Sequence, residues 1–123
     1  KLQGERALKR QLHWMGIAQS ACAQSGRNRV PVINAPVGWS EWLGQQQNLT
    51  SMRVVLSLAG DLPGWRDLWL KPPDHLTLLS GPEGGFTQEE EAAALQHGFI
   101  SASLGPFVLR AETAALTVLA QLL

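Results

Sequence analysis

The sequence predicts an α/β protein: a mainly parallel sheet with flanking helices. Twice, a strand-like run passes straight into a Gly/Pro loop and then into a helix. The first unit is His75–Ser80, Gly81–Gly85 and the stretch from Thr87; the second is Phe99–Leu104, Gly105-Pro106 and residues 111–122. Two such units side by side form the ligand-binding edge of a parallel sheet. In addition, residues 52–58 (Met-Arg-Val-Val-Leu-Ser-Leu) are β-rich without clean alternation, as expected for a strand covered on both faces.

At 123 residues and 45% hydrophobic content, the chain fits one domain with a real core. Ten basic and ten acidic residues cancel, so no chain-wide field announces a nucleic-acid partner. Cys22 stands alone, which precludes a disulfide framework within one chain and suits a reducing cytoplasm. No apolar run approaches the roughly 20 residues a membrane helix needs, and residues 1–6 contain no signal-peptide core. The chain starts without Met on a polar helical stretch, which points to a piece of a longer protein.

Residues 5–25 read as an amphipathic helix with Leu8, Leu12, Met15 and Cys22 on one face, Ala18 beside them and Gly26 as the stop. After it come Arg27-Asn-Arg29 and an extended Val30–Ile33, read as the first strand. Arginine offers a planar fork of donors suited to phosphate, so Arg27 and Arg29 are candidate phosphate contacts. The competing reading is a solvated cluster drawn to the helix C-terminus. Ser40 is positioned to cap a short helix with Glu41 in its first turn. Residues 61–73 form a loop whose tryptophans pack rather than stack on bases.

Thr87-Gln-Glu-Glu90 is a capping box, in which hydroxyl and carboxylate satisfy each other's free amides. Glu89, Glu90 and Glu91 therefore have a structural reason to be there. His97-Gly98 closes that helix, and His97 reads as a cap rather than a ligand. The last helix carries Ala115, Leu119 and Leu122 on one face, with Ala114 and Val118 beside it.

Gly81-Pro-Glu-Gly-Gly-Phe86, then Leu104-Gly-Pro-Phe-Val-Leu-Arg-Ala-Glu-Thr-Ala114, resembles the RsmE family of SPOUT-class methyltransferases. Cys22-Ala-Gln-Ser-Gly-Arg-Asn-Arg-Val-Pro31 is similar to the same family's central motif, and the three stretches come in the family's order. The family modifies ring nitrogen N3 of a uridine in 16S rRNA of the small ribosomal subunit. The resemblance implies S-adenosylmethionine as cofactor, no metal, a C-terminal trefoil knot and a homodimer. It also implies that a PUA-like RNA-binding barrel and the first strands of the methyltransferase domain lie outside residues 1–123, which would be a single partial domain.

Mapped onto this chain, the resemblance implies a cofactor cradle of three strand-end loops: Leu58 and Gly60; Gly81, Pro82, Glu83, Gly84 and Gly85; and Leu104, Gly105 and Leu109. Leu104 and Leu109 are placed to sandwich an adenine. Arg110 would stabilise charge on the uracil and Glu112 would orient it or move its proton. A salt-bridged pair capping the last helix is the alternative for these two. The resemblance makes Arg27 and Arg29 RNA contacts. The sequence departs from the family at Phe107, where arginine is common, and at Leu58-Ala-Gly60, where a His-Pro pair is common.

Two other functions stay open. A knotted module could hold cofactor, bind RNA or dimerise without methylating. A doubly wound domain could bind a nucleotide phosphate, but no Lys-Ser/Thr follows the Gly81 loop and no GxGxxG is present.

Overall fold

A computed structural model describes residues 4–46, 52–58, 62–68, 71, 73–104 and 110–122, apart from the side chains of Arg66 and Ala111. The chain divides into two units, Lys1–Trp42 and Leu43–Leu123.

In the first unit, helix α1 spans Glu5–Ser25 and stops at Gly26, whose φ of 76° puts it in the left-handed region. Its covered stripe runs through Ala7, Gln11, Met15, Ala18 and Cys22, at helical spacings of three and four. Leu8 and Leu12, expected on that face, are 55% and 58% exposed. The stripe is offset from them because the chain after Gly26 folds back along the helix. Gln11 Nε2 donates to Ile33 O at 2.9 Å, and the Cys22 thiol lies 3.7 Å from Arg29 O.

That return also removes the strand expected at Val30–Ile33. These residues belong to no strand: Pro31 has no N–H to donate, and the Ile33 carbonyl goes to a side chain instead of a ladder. Helix α2 spans Trp39–Gly44. The chain enters it at Gly38, whose carbonyl accepts from Trp42 N at 2.9 Å, so Ser40 lies inside the first turn rather than capping it. Trp39 and Trp42 stack with centroids 6.3 Å apart.

The second unit is built on strands β1 (Met52–Leu56), β2 (Leu76–Leu79) and β3 (Ile100–Ala102). They form a three-stranded sheet in the order β2-β1-β3 with both pairings parallel. Central β1 has Val54 and Val55, pointing to opposite faces, both fully buried. On one face Val54, Ala102, Trp65 and Val118 form the core, with Met52, Leu56, Leu76, Leu78 and Leu122 packed around them. Trp65 opens a 3-10 turn, Trp65–Leu68, and packs as expected. Helix α4 (Ala111–Gln121) supplies Val118, and the Trp65 indole donates to Gln121 Oε1 at 2.6 Å. Leu119, expected on the buried face, is instead 54% exposed; the stripe facing the core runs through Val118 and Leu122.

Helix α3 (Gln88–Gln96) starts with the expected capping box: Thr87 Oγ1 accepts from Glu90 N at 3.1 Å, and Thr87 N donates to Glu90 Oε1 at 2.9 Å. His97 is its C-cap, with Nδ1 2.8 Å from Ala93 O. The bond from Ser101 Oγ to Glu91 Oε1 ties α3 to β3.

Candidate functional site

Because the strands are parallel, their carboxyl ends lie on one edge of the sheet. Ser57-Leu58 follows β1, Ser80-Gly81 follows β2 and Ser103-Leu104 follows β3. The three stretches predicted as a cradle thus begin at the same edge. With β1 in the middle, the chain goes first to one side of it and later to the other. That is the strand order that opens a crevice at the carboxyl ends of an α/β sheet.

The loop after β2 is held from inside and from outside. Gly85 N donates to Pro82 O at 2.8 Å. Gly85 has φ of 76°, and a Cβ there would lie 2.9 Å from Leu58 Cδ1; both facts require glycine. A Cβ on Gly81 would lie 3.2 Å from the Phe86 ring and from the Gly85 carbonyl carbon. Gly84 differs: a Cβ there meets nothing within 4 Å. Pro82, Glu83 and Gly84 are exposed, while Gly81 and Gly85 are half-buried. The loop therefore keeps a fixed backbone at Gly81 and Gly85, with Gly84 open to solvent.

On the β3 side, Ser57 N donates to Ala102 O at 3.0 Å. The segment after β1 returns to pair Gly64 with Ser103, through Trp65 N to Ser103 O at 2.9 Å and Ser103 N to Pro63 O at 3.0 Å. Leu104 is half-buried against the core. Gly60, Gly105 and Leu109 lie outside the described residues.

Arg110 is the N-cap residue of α4, with extended φ and ψ, but its side chain makes no capping hydrogen bond. Glu112 lies in the first turn, and both side chains are exposed. Arg27 and Arg29 belong to the first unit, exposed in the turn after α1. Phe86 was not singled out from the sequence, although it closes the glycine motif. Its packing on Gly81 appears only in three dimensions. Among the described residues no group of three or more His, Cys, Asp and Glu side chains is arranged to hold a metal ion, and no helix is long and apolar enough to cross a membrane.

Residues 1–123 match the family of RNA methyltransferase domains. The chain is 36% identical over 121 residues to ribosomal RNA small subunit methyltransferase E of Mesomycoplasma hyopneumoniae, covering 97% of this chain and 50% of that protein. To the Bacillus subtilis protein of the same name it is 31% identical over 124 residues, covering 97% and 48%. The chain spans about half the length of the curated relatives it matches.

Among solved structures, a Legionella pneumophila methyltransferase with SAM bound superposes with a TM-score of 0.84 at 38% identity, covering 99% of this chain and 49% of that one. Ribosomal RNA small subunit methyltransferase E of Neisseria gonorrhoeae, bound to S-adenosyl methionine, gives 0.81 at 35% identity, covering 98% and 50%.

Proposed function

The chain belongs to the family of RNA methyltransferase domains, and on that premise we propose that it serves methylation of N3 of a uridine in 16S rRNA, with S-adenosylmethionine as methyl donor. The observation that carries the reading is the meeting of Leu58 with Gly85 at the shared carboxyl edge of β1 and β2. Two loops that the sequence likens to a cofactor cradle interlock there, beside the open space at Gly84. The relatives' names and the two cofactor-bound structures support it.

The cofactor supplies an activated methyl group on a sulfonium, so the chain's residues have mainly to align and to handle one proton. Backbone groups of Gly81–Gly85 would hold the ligand, with Leu58 and Leu104 as apolar walls. The Arg110 guanidinium, not engaged in capping, is available to stabilise negative charge on a uracil that has lost its N3 proton. Glu112, two residues on, would orient the base or accept that proton. Arg27 and Arg29 would contact phosphate.

The reading extends to a trefoil knot around α4, a homodimer and a cytoplasmic location on the small ribosomal subunit. Support for the knot is the bond between Trp65 and Gln121, which links the segment after β1 to the end of the chain's last helix. Support for the dimer is the exposed pair Leu116 and Leu119.

Calorimetry with S-adenosylmethionine and with ATP, followed by methyl transfer to 30S subunits, tests the reading. Saturable binding of the first ligand alone, with methyl found on uridine N3, is expected. Cofactor binding without transfer would favour the non-catalytic module, and ATP binding in its place would overturn the site.

A further inference from the structure

The chain is neutral overall, but its charge is divided between the two units. In residues 1–42, Lys1, Arg6, Lys9, Arg10, Arg27 and Arg29 face only Glu5 and Glu41, a net +4. In residues 43–123, four cations (Arg53, Arg66, Lys71, Arg110) face eight carboxylates, a net −4. Neutrality over the whole chain hides a basic unit and an acidic one.

Within the basic unit the cations are ordered. Arg6, Lys9, Arg10 and His13 recur at spacings of three and four, so they share one face of α1. All four are exposed, opposite the covered stripe of Ala7, Gln11, Met15, Ala18 and Cys22. Beyond His13 the same side continues as a shallow groove past Gly16, Ser20, Ala21 and Gln24, lined also by exposed Leu12 and Ile17. Arg27 and Arg29 follow just past its end.

Helix stability does not explain this placement. Cations favour the C-terminal end of a helix and are unfavourable at its N-terminal end. Yet α1 has no basic residue in its last turn, and Arg6, Lys9 and Arg10 all lie in its first two turns. The start of α1 also has no side-chain cap. Glu5 is four residues before Lys9 and can offset it, which leaves Arg6 and Arg10 as the cations the helix itself does not use.

We propose that this face of α1 is a track for the sugar–phosphate backbone of the RNA substrate, with Arg6 and Arg10 contacting phosphates at one end and Arg27 and Arg29 at the other. Gly16, Ser20 and Ala21 between them are small enough to let a polyanion lie close to the helix, alongside the exposed apolar Leu12 and Ile17. Contacts of this kind position the RNA without reading its bases. The proposal rests on the rRNA-methyltransferase reading.

The test is binding of the chain to a 16S rRNA fragment across a salt series. Each phosphate contact contributes about 0.7 to 0.9 to the slope of log K against log salt. Replacing Arg6 and Arg10 together by Gln should therefore lower the slope by about 1.4 to 1.8. Arg6→Lys with Arg10→Lys should restore it, and Lys71→Gln, an exposed cation of the acidic unit, should leave it unchanged. Affinity for S-adenosylmethionine should be the same in all of them. An unchanged slope in the Gln variant, with the parent still binding RNA and cofactor, would overturn the track and leave the function standing. Loss of binding to phosphatidylserine vesicles with the RNA slope intact would also overturn it, assigning the face to a membrane. A parent that binds neither rRNA nor cofactor would overturn both readings.

Discussion

Leu58, two residues beyond β1, lies so close to Gly85 that a Cβ on the glycine would come within 2.9 Å of Leu58 Cδ1. Two loops separated by β2 and its approach thus fix each other at the carboxyl edge of the sheet. Gly85→Ala faces two penalties: about 1–2 kcal/mol for a side chain at positive φ, and the clash itself. We expect lower stability in urea unfolding. Leu58→Ala added to Gly85→Ala should recover the clash but not the backbone cost. A Gly85→Ala protein as stable as the parent would remove the latch.

In the proposed cofactor reading, a substitution at Gly84 would obstruct the ligand without disturbing the loop. A Cβ there touches nothing within 4 Å, so Gly84→Val should leave the melting temperature nearly unchanged while abolishing S-adenosylmethionine binding in calorimetry. Arg27→Ala, in the other unit, should leave cofactor affinity intact. The opposite ranking would move the cofactor away from the glycine loop.

Arg110 occupies the N-cap position of α4 without using its side chain there. Arg110→Ala should therefore change stability by no more than about 0.5 kcal/mol, as for an ordinary surface substitution. Methyl transfer under saturating RNA and cofactor should fall by roughly 10²-fold or more, the effect of losing a preorganised charge. Transfer at the parent rate would rule out the catalytic role.

Leu116 and Leu119 are 65% and 54% exposed on α4, three residues apart and thus on one face. The pair suits the proposed dimer, which would cover it. Light scattering at tens of micromolar is expected to give twice the chain mass. Leu116→Glu with Leu119→Glu should shift it to the monomer with helix content kept. A monomeric parent would contradict the dimer.

The features the sequence determined by itself are those whose forces act within a few residues. The Thr87/Glu90 capping box closes over three positions, Gly26 ends α1 through its own backbone angle, and the run around Val54-Val55 marks a strand covered on both faces. The Gly81–Gly85 loop was legible for the same reason, since it follows its strand almost directly. Tertiary structure decided what depends on partners far along the chain. It placed β1 between β2 and β3, joined Trp65 to Gln121, and set Leu58 over Gly85. It also turned Val30–Ile33 from a strand into a strap along α1, through Gln11, and chose Val118 over Leu119 for the core. Periodicity offers several neighbouring stripes on a helix, and only the surface packed against it selects one. The charges of Arg6 and Arg10 were written in the sequence, but the total hid them. Only the folded division into two units showed over which residues the charge should be counted.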